Sequence, residues 1–235
     1  MAAFPSGLTS QIAQQLKSTK SLEPTATWLA AFLRTQKSTT PLQALVSTAL
    51  FRLLASDITQ NLERTPSACL PPDVCNVNIK ERSLSGPIVV QVLGIDDMSK
   101  SRWEQIEAIE ALERGEGTKG REIIRLPSTE DEGSASTSVQ KGGGPHKLLL
   151  QDPQGLRVYG IELKDVEGVA LGMHIGCKLV LEGTIVARGI LLLEPRTTSL
   201  LGGRIEHLHK AWKENRKRDL KAAIQDNSGS ARAGN

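Results

Sequence analysis

Between Leu8 and Leu54 apolar residues recur at intervals of three and four, the period of helices that bury one face. Leu8, Ile12 and Leu16 step by four. Pro24, Thr25 and Thr27 open a second segment, which carries Trp28, Leu29, Phe32 and Leu33 on one side. Pro41 suits the first turn of a third helix, where its missing N–H costs nothing. Leu42, Leu45, Val46, Ala49, Leu50, Leu53 and Leu54 give that helix a wide apolar stripe. Three such helices joined by short turns pack most simply as a bundle, here over residues 1–64. Pro66, Pro71, Pro72 and Gly86 then break the period, so 65–85 reads as a connector.

Beyond Gly86 the pattern changes to short, β-branched runs. "GPIVVQVLGI" (86–95), "HKLLLQD" (146–152), "LRVYGIEL" (156–163), "KLVLEGTI" (178–185) and "ARGILLLEP" (187–195) are five strand candidates. "DPQG" at 152–155 is a turn, with proline setting φ and glycine relaxing the last position. The second and third strands should therefore pair as a hairpin, as should the fourth and fifth around Thr184–Ala187. Five strands fit a small closed barrel of the OB type better than a sandwich, which needs about seven. Gly160, Gly183 and Gly189 suit its tight bends. Ile205, Leu208 and Trp212 mark a following helix. The predicted class is α+β: a three-helix bundle, a five-stranded OB barrel over 86–212, then a basic helix end and flexible tail over 213–235.

One excursion interrupts the barrel between its first two strands, from Asp96 to Pro145. An insertion this long far exceeds a hairpin loop of about 2–5 residues, and such loops are functional or disordered. Ser101 and Glu104 have capping-box spacing, and Trp103, Ile106, Ile109 and Leu112 follow before Gly115. The stretch 128–144 is a polar spacer rich in serine, glycine and acid. Between them lie Ile123, Ile124 and Leu126, apolar residues in a polar setting that point to a partner surface.

Chemistry is sparse. The 235 residues are 39% hydrophobic and 23% charged, an ordinary globular balance. No apolar run approaches the ~18 residues of a membrane span, and the first twenty residues lack the apolar core of a secretion signal. Cys69, Cys75 and Cys177 are an odd set without CxxC spacing; the pairs His174/Cys177 and His207/His209 are too small for a zinc cage. "GEGTKG" (115–120) lacks the serine or threonine that follows lysine in a phosphate loop, and no GxSxG elbow exists. The expectation is a protein without catalytic residues, metal, cofactor or small-molecule substrate.

Nucleic acid is the rival partner. Single-strand binding needs cations plus rings on which bases stack. Aromatics are only 3% of the chain, and Tyr159 is the sole one in the five strands. The last helix is better supplied: Lys210, Lys213, Arg216, Lys217 and Arg218 could meet phosphate in a weak, salt-sensitive way. "KENRKR" (213–218) also reads as a nuclear import signal, which predicts the nucleus.

The order of parts and the run "KLVLEGTIVARGILLLEPRTTSLLGGRIEHL" (178–208), with "LLLQD" and "VYGIE" before it, resemble the RecQ-mediated genome instability protein 1 family in a short fungal form. The resemblance spans about 5–215. It implies an OB-fold, non-enzymatic subunit that binds a type IA topoisomerase (topoisomerase III) and a RecQ-type helicase. Such a complex decatenates DNA and dissolves double Holliday junctions during repair, replication and homologous recombination. It further implies that the barrel docks on the topoisomerase near Tyr159, Lys178 and Arg188. The insert, carrying Trp103, Ile106, Ile109, Leu112, Ile123, Ile124 and Leu126, would reach the enzyme's DNA gate. DNA would touch this chain indirectly or weakly. The acidic spacer at 128–144 departs from the family pattern. The alternative is a stand-alone single-stranded DNA-binding OB module.

Overall fold

A computed structural model of the chain describes residues 7–119, 122–125 and 144–232. The helical region forms α1 (Leu8–Lys20), α2 (Ala26–Arg34) and α3 (Leu42–Leu54), followed by a short fourth helix not anticipated, α4 (Ile58–Asn61). The Thr25 hydroxyl accepts the Trp28 N–H and caps α2; the Asp57 carboxylate does the same for α4 through Thr59. Ile12, Leu16, Leu29, Phe32, Leu45, Ala49 and Leu53 close a core of their own.

The connector contributes β1 (Arg82–Ser83), and the sheet proper begins with β2 (Ile88–Asp97). The insert supplies α5 (Arg102–Glu113) and a two-stranded ribbon, β3 (Glu116–Lys119) with β4 (Glu122–Arg125). The chain then re-enters the sheet as β5 (His146–Gln151), β6 (Arg157–Glu162), β7 (Lys178–Leu181), β8 (Ile185–Ala187), β9 (Ile190–Leu193) and β10 (Thr198–Gly202), and ends in α6 (Glu206–Arg232). The order across the eight-stranded sheet is β1-β8-β9-β6-β5-β2-β7-β10, antiparallel except where β6 meets β9. It curls into a half-barrel around Val90, Val92, Leu148, Leu150, Val158, Leu179, Leu181, Leu191 and Leu193.

The expected α+β order of helical bundle, OB-type barrel and C-terminal helix is present, the sheet being a half-barrel of eight strands where five were expected, with β1 and β10 as its outer strands among the described residues. Three finer expectations are corrected. The fourth and fifth predicted strands do not pair with each other: β7 lies between β2 and β10, while β8 turns back on β9. The turn is Arg188–Gly189, with φ of 51° and 82°, the mirror-image geometry that matches strand twist. A Cβ on Gly189 would sit 2.7 Å from the Cys75 carbonyl oxygen, so glycine is required there. Asp96 and Asp97, taken as the start of the insert, are ladder residues paired with Lys147 and His146. Finally, the segment expected to be a flexible tail continues as α6 to Arg232.

The helices sit on the outside of the sheet. Val89 and Val180 are register partners on β2 and β7, and both pack into the helical core rather than the barrel. Lys178 shares that outer face with Val180. Its ammonium donates to the carbonyl oxygens of Leu54, at the end of α3, and of Gly176, at 2.8 and 2.6 Å. The C-terminal end of a helix is its negative pole, which suits a cation there. Gly203 passes so close to that junction that a Cβ would lie 2.3 Å from the Leu54 oxygen.

Candidate docking site

The bundle covers only the β2–β7 half of the outer surface. Across β5, β6, β9 and β8 the outward positions are mostly apolar and at least partly exposed, with Lys147 toward one end and Gln151 and Arg157 toward the other. Register aligns the central ones in two rows. Leu149, Tyr159, Ile190 and Ala187 form one, and Lys147, Ile161, Leu192 and Ile185 the other. Tyr159 is 49% exposed and Ile185 37%, while Leu149, Ile161, Ile190 and Leu192 are partly exposed. Side chains at cross-strand spacing in these rows support one another. The Lys147 ammonium lies 5.1 Å from the centre of the Tyr159 ring and 3.2 Å from the Asp96 carboxylate. Tyr159 thus already holds a cation, and it is the only aromatic in these rows.

The insert leaves the barrel beside this face through a narrow neck. Asp97 accepts from the Ser99 N–H (2.9 Å) and hydroxyl (2.5 Å); the Met98 N–H donates to the Pro145 oxygen (2.9 Å). Burial works against the Asp97 carboxylate, but these Ser99 bonds, with Lys100 and His146, hold its pKa below the usual value. Next to it His146 Nδ1 and Glu162 Oε2 are 2.5 Å apart, both buried, and Glu162 also accepts from the Val166 N–H. The two ends of the insert are thereby stitched together.

From the neck α5 starts with the predicted capping box: the Ser101 hydroxyl accepts the Glu104 N–H, and the Glu104 carboxylate accepts the Ser101 N–H. Gln105 points inward and is fully used, donating to the Asp97 and Lys100 oxygens and accepting from Arg216.

The predicted contact residues fall into separate groups. Trp103 and Leu112 are 67% and 68% exposed on α5. Ile106 is buried beneath that helix and Ile109 partly so, so Ile106 holds α5 in place and is not open to a partner. Ile123 and Ile124 lie in β4; Leu126 lies outside the described residues. Tyr159 is at the centre of the uncovered face. Arg188 is exposed at the β8–β9 turn and donates to the Val77 oxygen. Lys178 is displaced from the site altogether: it is fully buried under the helices, and burial lowers its pKa to about 8.

The cationic helix is also reassigned in large part. Arg216 is partly buried and donates to the Ile95 oxygen and to Gln105, with its guanidinium 4.6 Å from the Trp212 ring centre. Lys217 pairs with Glu110 and Glu113, and Arg218 with Asp219. Lys210 lies 4.0 Å from Glu214, leaving Lys213 exposed beside it. These five cations thus present much less free charge than their spacing implied. Sequence reasoning missed Leu149, Ile161, Ile185, Ile190 and Leu192. Their signal was present: "LLL" and "ILLL" are continuous rather than alternating, the mark of strands apolar on both faces.

Comparison with known proteins agrees with this architecture. Residues 70–216 match the family model "RMI1, N-terminal OB-fold domain", and residues 16–60 match "RMI1, N-terminal helical domain". The chain belongs to the RecQ-mediated genome instability protein 1 family. The family member of Schizosaccharomyces pombe is 32% identical over 173 residues, 68% of this chain and 72% of the relative. That of Saccharomyces cerevisiae is 26% identical over 157 residues, 55% of this chain and 63% of the relative. The Xenopus laevis member is 24% identical over 233 residues, 95% of this chain but 38% of the longer relative. Membership makes this chain an OB-fold genome-stability protein, not a representative of a known enzyme family.

Proposed function

We propose that the chain is a non-catalytic scaffold subunit that binds a type IA topoisomerase, topoisomerase III, and links it to a RecQ-family helicase in the nucleus. The uncovered apolar face over β5, β6, β9 and β8 carries the reading. A surface of this kind, next to a tethered arm, suits a large protein partner more than a flexible strand of DNA. Stacking on a nucleic acid would need several rings, and Tyr159 is the one aromatic in these rows, although Lys147 and Arg157 are on the same face. The resemblance supplies the partner's identity. The insert would then reach the DNA gate and favour one of its conformations through differential affinity, promoting decatenation and double Holliday junction dissolution.

The test is co-purification with topoisomerase III. Ile161→Asp/Ile190→Asp should weaken association by about 100-fold or more, as central interface positions do; wild-type retention would reject the face. A variant lacking residues 100–143 should still bind but lose stimulation of decatenation. The rival reading as a single-strand binder predicts tight capture of a labelled oligonucleotide at ~150 mM salt, where phosphate-only attraction fades.

A further inference from the structure

Helix α5 is poorly made for standing alone. It has 12 residues, near the length at which isolated helices are marginal in water, and it buries only Gln105 and Ile106. Glu110 and Glu113 lie in its last turns, against the negative pole of its own dipole; the last turn holds no basic residue, and Arg114 follows as the C-cap. A local conflict of this kind is relieved from outside. Lys217 of α6 lies 3.2 Å from Glu110 and 2.6 Å from Glu113, and Lys221 lies 2.9 Å from Glu110. Arg102 at the other end of α5 donates to the Ala223 oxygen. Arg216 pins the first turn, bonded at once to Gln105 of α5 and to the Ile95 oxygen of β2.

The placement of these contacts is informative. Arg216 is partly buried and lies at the base of the helix, by the neck. The carboxylate–lysine pairs lie toward the far end, six and three residues before β3 begins at Glu116. A pin at the base and a clamp at the tip define a direction.

We propose that α6 is the positioning element of the insert: Lys217 and Lys221, bridging Glu110 and Glu113, set the angle at which the arm leaves the barrel. The effect on a partner rests on the docking reading above, but the geometry does not. Exposed ion pairs contribute little to overall stability. Their loss therefore changes where the arm points more than whether the protein folds. Arg216, Lys217 and Lys221 of α6 are thereby engaged with the insert rather than with phosphate.

The test uses the full chain in a Cys75→Ser background, spin-labelled at Glu107→Cys on α5 and Glu182→Cys on the sheet, with the distance distribution measured by pulsed electron resonance. Lys217→Glu/Lys221→Glu, and the milder Lys217→Met/Lys221→Met, should broaden the distribution while the unfolding temperature stays within a few degrees. Adding Glu110→Lys/Glu113→Lys to the glutamate variant should restore the narrow distribution. With topoisomerase III, the clamp variants should bind within about twofold of wild type, yet stimulate decatenation several-fold less, and the charge swap should recover it. An unchanged distribution in both clamp variants, or no recovery in the swap, overturns the positioning role. Broadening without loss of decatenation overturns its functional consequence. Failure of the wild-type chain to bind topoisomerase III overturns the docking reading, while the distances in the free chain still decide the inference.

Discussion

The outer surface of the curled sheet divides into two halves built alike and used differently. Over β2 and β7 the outward residues Val89 and Val180 are 3% and 7% exposed, sealed beneath the helical bundle. Over β5, β6, β9 and β8 the apolar residues Leu149, Tyr159, Ile161, Ile190, Leu192 and Ile185 remain partly or largely exposed. Each half buries its inward positions in the same barrel core. The difference lies in who supplies the second layer: the same chain on one side, and on our reading another protein on the other. An apolar outer face on a strand therefore reports that a partner layer exists, not where it comes from.

The comparison can be broken at several strengths. The largest effect should come from Val180→Asp, which places an unpaired carboxylate in the helical core at a cost of about 3 kcal/mol or more. Chemical denaturation with tryptophan fluorescence, which reports Trp28 in the bundle, measures it; a loss below about 1 kcal/mol would mean that the bundle does not seal this half.

A smaller, pH-dependent effect should come from Lys178 in the same junction. Its pKa falls from 10.5 to about 8 on folding, chiefly through burial. The unfolded chain then holds a proton that the folded one has released, so stability should rise with pH between about 8 and 10.5. The integrated gain is on the order of 3 kcal/mol. Cys177, whose pKa burial raises, works in the opposite direction there. The Lys178 part is therefore isolated as the difference between wild type and Lys178→Met, whose curve should lack the rise. Parallel curves would show that the ammonium is solvated and the junction looser than described.

The smallest effect should come from the uncovered half. Ile190→Asp in the free chain should cost only about 1 kcal/mol, since the side chain is partly exposed and aspartate is a poor strand residue. A thermal unfolding shift matching that of Val180→Asp would erase the distinction between the halves.

Much of the fold was legible in the residues. Helical periodicity located α1 to α3, the Ser101/Glu104 spacing located the start of α5, and "DPQG" located the β5–β6 turn. The strand partners of "KLVLEGTIVARGILLLEP" were not legible. Its true turn is Arg-Gly, without the Asn-Gly or Asp-Gly that usually marks such hairpins. The site was read less well than the fold. Tyr159, Trp103 and Leu112 are exposed, as a contact role requires, but Lys178 looked like a surface charge because lysine on a short strand normally is one. Its burial depends on α3, more than a hundred residues earlier.

By itself, then, the sequence determined the local elements, the two apolar cores and the family, because periodicity, turn chemistry and a long matching run act over neighbouring residues. Which half of the sheet is sealed, which lysines are spent on carbonyls and carboxylates, and how the insert is held were decided only by tertiary structure. Those outcomes depend on distances between segments far apart in the chain, and neither burial nor ion pairing has a period that a linear pattern can show.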